Sequence, residues 1–436
     1  MASSSFVKDS QPTLKDKDIV CLGHLRRIFP LLDRLNDVGR ERDKAGNRTL
    51  FFGDYCKLVL LYVWNPLIDS LRQLQKATQL RTVATALGVK RFSLGSFSEA
   101  PRIFEPQLLK PIIAELAGEL SPIGKDPRLA ELKHALTLVD GTVVAALARL
   151  AKAAVGDAAR YTTSRDGRAV YAWRLHTQLD LETFSPRRID RTGARNAGEN
   201  RENNVLRRNL EPDRCYVGDG GYADRSLFDD IAAAGSSYVV RLARDAIFEV
   251  ADDGGGGGGG ERLLSQEALD AGVVRDAVVA SLGAPGATPP MNHAVRLIAV
   301  QVEPHPRRTR KGTEHCDLIL IATNLLDLPA ELVALIYLYR YTVELFFRVF
   351  KQLLGMRHLL SQRQSGIDIQ IHCTLIVCLL LCLITGHRPD KSTRNMIGWY
   401  LIGLASEQEL IDHLNRPDNT GIKKRAKDEL WKKMGW

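Results

Sequence analysis

The segment from Ala330 to Leu354 constrains the fold most, because it contains neither glycine nor proline. Asp327 can cap a helix that starts here, Pro329 fits its first turn and Gly355 can end it. The segment therefore predicts one long α-helix. Such a helix must bury one side against another element of the fold. The apolar residues available for that side are Leu338, Leu345, Phe346, Val349 and Leu353.

The opposite side of the predicted helix carries one acid among several cations. Each helical residue turns by about 100°, so steps of four and seven residues from Glu344 return to nearly the same side. The residues on that side are Tyr337, Arg340, Arg348 and Lys351. Two interpretations are open at this point: a solvated ridge of ordinary ion pairs, each worth roughly a few tenths of a kcal/mol, or a binding site.

Two further carboxylates follow short apolar segments. The β-branched and apolar run Leu136–Val144 predicts a buried strand ending near Asp140, and Cys215–Gly218 predicts a strand that runs into Asp219. Strand ends at one edge of an open α/β sheet share a crevice where ligands bind. Three acids that converge there can hold two divalent metal ions about 3.5 to 4 Å apart, which suits displacement at phosphorus.

Three motifs together resemble one family of enzymes. The helical segment from Tyr337 to Lys351 reads YLYRYTVELFFRVFK and matches the spacing Y-x2-R-x3-E-x6-K. Two shorter motifs, Asp140-Gly141-Thr142 and Gly218-Asp219-Gly220-Gly221-Tyr222, precede it in the order that the family has. On these residues the chain resembles the DDE transposases of the insertion-sequence-four superfamily, over roughly residues 136–362.

The resemblance implies an α/β fold: a ribonuclease-H-like mixed sheet flanked by helices, with a β-rich insertion and a helical N-terminal DNA-binding domain. It also implies that Asp140, Asp219 and Glu344 are catalytic and together bind two Mg²⁺ ions, for which Mn²⁺ can substitute. The implied activity is cut-and-paste transposition. Its partners would be the inverted terminal repeats and target DNA, with a homodimer holding the two ends.

The resemblance further implies that Tyr337, Arg340 and Lys351 grip DNA phosphates near the cut. Arg348 lies on the same side of the predicted helix and is a fourth DNA-binding candidate. Arginine offers a planar fork to phosphate and lysine a point charge, while tyrosine adds a hydroxyl and a face for stacking on a displaced base.

The pattern of elements predicts four parts. Residues 1–125 form a helical DNA-end-binding domain, and 126–240 form the first part of the catalytic core. Residues 241–322 form the β-rich insertion, with a flexible hairpin tip at the glycine run Gly254 to Gly260. Residues 323–436 complete the core and add a helical C-terminal region.

A helix, a turn and a second helix are predicted within the first part. They span Leu80–Leu87, Gly88–Arg91 and Ser93–Arg102, with Ser93 placed to cap the second helix. The pair is either a DNA-reading unit that uses the second helix or an ordinary helical hairpin, and the sequence leaves both open.

Composition places the chain among soluble proteins with a basic surface. The formal charge is +9, from 60 Lys+Arg and 51 Asp+Glu, which suits a polyanionic partner. The seven cysteines include no C-x2-C pair, and no signal peptide is apparent. The apolar run Leu375–Ile384 is about half the length of a membrane span and is predicted to be a core helix. We therefore expect a cytoplasmic, nucleoid-associated protein without a membrane partner.

Three alternatives to the transposase are kept. A metal-dependent nuclease without strand transfer would use the same residues. A domesticated or inactive DNA-binding regulator would keep the core as a scaffold, against which the intact acids argue. The third is a basic α/β protein in which the acids never meet.

Overall fold

The computed structural model describes residues 26–40, 49–65, 67–122, 126–146, 159–162, 169–251, 260–283, 291–302, 317–354, 359–361, 363–386, 391–401 and 403–414. The predicted hairpin tip lies outside these residues except for Gly260, and Gly355, the predicted end of the long helix, lies outside them too.

The described helices lie mostly at the two ends of the chain. They are α1 (Phe29–Asp33), α2 (Leu35–Arg40), α3 (Phe52–Trp64), α4 (Leu71–Ala77), α5 (Arg81–Leu87), α6 (Leu94–Glu99), α7 (Lys110–Gly118), α8 (Glu202–Arg207), α9 (Arg225–Ala233), α10 (Gln266–Asp270), α11 (Ala330–Leu338), α12 (Tyr341–Leu354), α13 (Gln364–Thr385), α14 (Lys391–Leu401) and α15 (Glu407–Leu414).

The described strands form one sheet. They are β1 (Ala135–Ala146), β2 (Ala159–Thr162), β3 (Ala169–Asp180), β4 (Ser185–Gly193), β5 (Arg214–Gly218), β6 (Ser237–Arg241), β7 (Phe248–Val250), β8 (Gly260–Glu261), β9 (Val273–Leu282), β10 (Val295–Val302) and β11 (Asp317–Thr323). The strand order is β2–β3–β1–β5–β6–β11–β10–β9–β7, with β4 also paired to β3 and β8 to β9.

The central strands have the mixed arrangement that was predicted. β3 pairs antiparallel with both β1 and β4, whereas β5 pairs in parallel with both β1 and β6. The insertion continues this sheet, because its last strand, β11, returns to pair antiparallel with β6. The fold is therefore α/β with a mixed sheet flanked by helices, consistent with a ribonuclease-H-like core. The four domain boundaries stay predictions.

The two faces of the sheet pack against different helices. Along β1, Leu136 and Leu138 belong to the larger apolar cluster, which includes residues of α11, α12 and α13, while Val139 belongs to the cluster around α9. This is the alternation expected of a strand buried on both faces. Asp140 is two residues beyond Leu138, so it lies on the face against which α12 packs.

The single long helix predicted from Ala330 to Leu354 is wrong in one respect. It is divided into α11 and α12 at Tyr339 and Arg340. The Tyr339 amide is shared between the carbonyls three and four residues back, and the Arg340 amide bonds only to the Tyr337 carbonyl, three residues back. No glycine or proline marks the break. A tertiary contact accompanies it, since the Tyr339 hydroxyl donates to Asp126 Oδ2 at 2.6 Å. Tyr337 therefore lies on one helix, Glu344, Arg348 and Lys351 on the next, and Arg340 in the turn between them.

The N-terminal helices share the larger apolar cluster with β1 and with α11, α12 and α13. α13 packs against α3, α7 and α12. It is the one described helix that is long and apolar enough to cross a membrane, with a mean hydropathy of 2.3, but 83% of that window is buried inside the protein. The prediction of a core helix over Leu375–Ile384 is confirmed, and the cysteines of α13, Cys373, Cys378 and Cys382, are buried.

The helix, turn and helix predicted after Leu80 are present. α5 ends at Gly88, which has a φ of 66°, and Ser93 caps α6 by accepting a hydrogen bond from the Ser96 amide at 2.9 Å. α6 has only six residues and ends at Glu99, so Arg102 lies in a following 3₁₀ turn and pairs with Glu99. A role in reading DNA stays a prediction.

A buried ion pair anchors the segment that leads into α11. The Arg296 guanidinium donates two hydrogen bonds of 2.7 Å to Asp276, and the two residues are 2% and 4% exposed. The same guanidinium also donates to the main-chain carbonyls of Leu325, Leu326 and Leu328. This pair therefore joins the insertion to the start of the helices that flank the sheet.

We expect Asp276→Ala to lower the free energy of unfolding by about 3 to 5 kcal/mol, because it leaves the Arg296 charge buried without its partner. Glu261→Ala is the matched control. It breaks an exposed ion pair with Arg275, the residue before Asp276 on β9, and should change the free energy of unfolding by about 0.5 kcal/mol or less. Urea unfolding measures both. Equal effects of the two substitutions would contradict this assignment.

Candidate active site

Asp140 and Asp219 lie at the same level of two neighbouring strands. β1 and β5 pair in parallel, with Leu138 opposite Val217, and each aspartate follows its strand partner by two residues. Neighbouring strands are about 4.8 Å apart. The prediction that Asp140 ends its strand is wrong, because β1 continues to Ala146. Asp140 instead marks the point where β1 passes the end of β5, and this opens the space between the two acids.

The chain after β5 forms a tight turn that fixes Asp219. Asp219 caps a short 3₁₀ helix, Gly220–Tyr222, and its Oδ1 accepts a hydrogen bond from the Gly221 amide at 2.9 Å. Tyr222 is 2% exposed and folds back beneath Gly218. The backbone direction at Asp219 is therefore set by its own cap and by a buried aromatic ring.

The two aspartates repel one another electrostatically. Burial and the nearby Asp219 carboxylate raise the pKa of Asp140 to about 7, while the charge of Arg340 acts in the opposite direction. A pair of this kind, with oxygen atoms as its only donors, fits a hard divalent cation such as Mg²⁺. A bound cation would relieve the repulsion.

Two of the predicted phosphate ligands lie near the aspartates. Arg340 is among the groups that lower the pKa of Asp140, and the Asp140 charge in turn acts on Lys351. Burial lowers the pKa of Lys351, against the opposing effect of Asp140. Arg340, in the turn between α11 and α12, and Lys351, on α12, are thus both close enough to interact with Asp140 on β1.

Glu344 forms an ion pair with Arg340. Its Oε1 accepts a hydrogen bond from Arg340 at 2.7 Å, and its side chain is 41% exposed. Within the described part of the chain, no group of three or more His, Cys, Asp or Glu side chains is placed to hold a metal ion. The structure therefore brings Asp140 and Asp219 together and places Glu344 on Arg340, so the three-acid site stays a prediction.

Tyr337 is buried, whereas Arg348 is exposed, and their roles in binding DNA stay predictions. Tyr337 is 6% exposed, and its hydroxyl is hydrogen-bonded to the Arg241 side chain. Its ring is part of the larger apolar cluster, so the predicted stacking on a displaced base is not available in this conformation. Arg348 is exposed, and its guanidinium lies 3.4 Å from the Tyr341 hydroxyl.

Two residues of this region were not found from the sequence. Arg241 ends β6 on the face of the aspartates, and the rule that marked Asp140 and Asp219, a charged residue after an apolar strand, could have found it. Glu202 begins α8 and is 8% exposed. The sequence around it is basic and Asn-rich and predicts a loop, and nothing in that pattern indicates an acid at the site.

Close packing requires glycine at two positions of the aspartate motifs, Gly141 and Gly218. A Cβ on Gly141 would overlap Glu202 Oε1, and a Cβ on Gly218 would lie 2.9 Å from the Tyr222 ring. A Cβ on Gly220 would meet its nearest neighbour, the Arg241 carbonyl oxygen, at an ordinary 3.7 Å. The motifs thus have glycine where side chains or turns press against the backbone.

We expect Gly141→Ala and Gly218→Ala each to lower the free energy of unfolding by about 1 to 3 kcal/mol, because the added methyl groups force buried side chains to move. Gly220→Ala should leave stability nearly unchanged. Thermal unfolding of the three variants measures this. If Gly220→Ala is as damaging as the other two, the glycines serve the backbone conformation and not the packing.

A solved structure that is similar in shape is the piggyBac transposase synaptic complex with hairpin DNA, with a TM-score of 0.42 and 11% identity; the match covers 95% of this chain and 85% of that chain. Comparison with curated proteins gives no significant match. The family model for the transposase DDE domain matches residues 131–381, which is more than half of the chain and includes both aspartates and Glu344. The chain therefore belongs to the transposase DDE domain family.

Proposed function

We propose that this transposase cleaves DNA strands and transfers them by a cut-and-paste route that depends on divalent metal ions. The observation that carries the proposal is the placement of Asp140 and Asp219 two residues beyond the paired Leu138 and Val217 of two parallel strands, within the matched domain. The motif from Tyr337 to Lys351 supports placement in the insertion-sequence-four superfamily. The basic composition suits a nucleic-acid partner.

Asp140, Asp219 and Glu344 are the proposed ligands of two Mg²⁺ ions, for which Mn²⁺ would substitute. The ions would activate a water molecule or a 3′ hydroxyl and stabilise the in-line displacement at phosphorus. Glu344 can join the aspartates only by leaving Arg340, and a DNA phosphate is a suitable replacement partner for that guanidinium. DNA binding and completion of the acidic site would then be coupled through Arg340.

The cations around the acids would hold the DNA backbone. Arg340 and Lys351 interact electrostatically with Asp140, the Tyr337 hydroxyl bonds to Arg241, and exposed Arg348 would contact DNA farther out. The partners are the inverted terminal repeats and target DNA, and a homodimer would hold two ends together. The similar piggyBac structure is a DNA complex. We place the protein in the cytoplasm, on the nucleoid.

The catalytic assignment predicts that Asp140→Asn, Asp219→Asn and Glu344→Gln each slow cleavage by roughly a thousandfold or more and leave DNA binding in place. The assay uses a supercoiled plasmid that carries the element's ends, with Mg²⁺ or with EDTA, and a gel-shift measurement of binding. Asp245→Asn, which changes an exposed acid just after β6, is the matched control and should cleave normally.

The products of the same assay separate the alternatives. Joined strands support transposition, whereas cleavage without joining supports a nuclease. Binding without any cleavage supports an inactive or regulatory protein. Normal cleavage by one of the three variants would remove that residue from the proposed site.

Lys351→Ala should weaken DNA binding and reduce the slope of log K against log salt concentration by about 0.9, as expected for the loss of one phosphate contact. The matched control is Lys110→Ala, which removes a lysine that pairs with Asp190 instead. Binding of an end sequence at several salt concentrations measures the slopes. An unchanged slope for Lys351→Ala would show that this lysine contacts no phosphate.

A further inference from the structure

Glu202 touches both aspartate motifs from the other face of the sheet. Its Oε1 packs against Gly141, on the strand that carries Asp140, and its Oε2 packs against Gly221, in the turn that Asp219 caps. Glu202 Oε2 and Asp219 Oδ1 each lie 3.0 Å from the position that a Cβ on Gly221 would take. Twice 3.0 Å, or 6.0 Å, is therefore the upper limit of their separation.

Other contacts fix the Glu202 carboxylate in this position. Arg174, on β3, donates to Oε1, and Asn196 donates to Oε2 at 3.3 Å. The Asn196 side-chain oxygen also accepts a hydrogen bond from the Glu202 amide at 2.9 Å. Glu202 is thus held by two elements that lie outside both aspartate motifs.

Glu202 also interacts electrostatically with both aspartates. Burial raises the pKa of Glu202, with Arg174 opposing this effect and Asp219 adding to it. Glu202 in turn is one of the groups that raise the pKa of Asp140. A purely structural spacer would not need a negative charge here, since an amide of the same shape could still accept the hydrogen bond from Arg174, although its NH2 group could not accept the one from Asn196.

We propose that Glu202 is a positioning residue of the metal site: it sets the spacing of the Asp140 and Asp219 motifs and supplies a negative charge that strengthens divalent-cation binding. The inference rests on the proposed function. Partners that orient metal ligands commonly contribute about 10-fold to 100-fold to metal affinity. Glu202→Gln keeps the shape but leaves the Arg174 charge beside the site without compensation.

The test measures Mn²⁺ binding to the full chain by titration calorimetry, together with the Mg²⁺ dependence of cleavage. We expect Glu202→Gln to weaken Mn²⁺ binding by roughly 10-fold or more, and to regain cleavage at high Mg²⁺. The matched control is Asp180→Asn. It breaks the Arg214–Asp180 pair, whose side chains are 13% and 12% exposed, compared with 18% and 10% for Arg174 and Glu202. This control should keep the Mn²⁺ affinity of the original chain.

An unchanged Mn²⁺ affinity in Glu202→Gln, with a stability loss like that of Asp180→Asn, would overturn the inference and leave the proposed function intact. If Glu202→Gln does not fold, Asn196→Ala carries the test, because it removes one support of the carboxylate from an exposed position; an unchanged affinity there has the same meaning. Asp140→Asn is included as well. Undiminished Mn²⁺ binding and cleavage in that variant would contradict the proposed function itself.

Discussion

The parallel pairing of β1 with β5 is the constraint on which the rest of the site depends. It places two carboxylates side by side at the point where β1 passes the end of β5. Burial and mutual repulsion make this arrangement unfavourable in itself, as the raised pKa of Asp140 indicates. The surrounding fold maintains it through the capped turn at Asp219 and the packing of Tyr222. The acids are thus held in place before any ligand arrives.

The helices that follow the insertion supply the opposing charges. Arg340 lies in the break between α11 and α12. It connects the helices to the sheet, because it pairs with Glu344 on α12 and also interacts with Asp140 on β1. The insertion contributes indirectly: Arg296 and Asp276 fasten the segment that leads into α11. Stability of the sheet and placement of the cations are therefore linked through one buried ion pair.

Several features could be predicted from the sequence because local chemistry decides them. The strands around Asp140 and Asp219 follow from β-branched runs, and the α6 cap follows from Ser93. The break at Tyr339 could not be predicted, because the accompanying contact comes from Asp126, which is far away in the chain. Glu202 was missed for the same reason. Its position beside Gly141 and Gly221 depends on how β3 and α8 pack, and the spacing of residues in the sequence does not predict that packing.

The central claim is that Asp140, Asp219 and Glu344 together hold divalent ions when DNA is bound. Anomalous scattering from Mn²⁺ in crystals of the full chain with a cleaved DNA end tests it most directly. We expect two Mn²⁺ peaks bound by the Asp140 and Asp219 carboxylates, with Glu344 released from Arg340 and joined to them. A complex with the DNA end in place, but with no Mn²⁺ between the two aspartates, would contradict it.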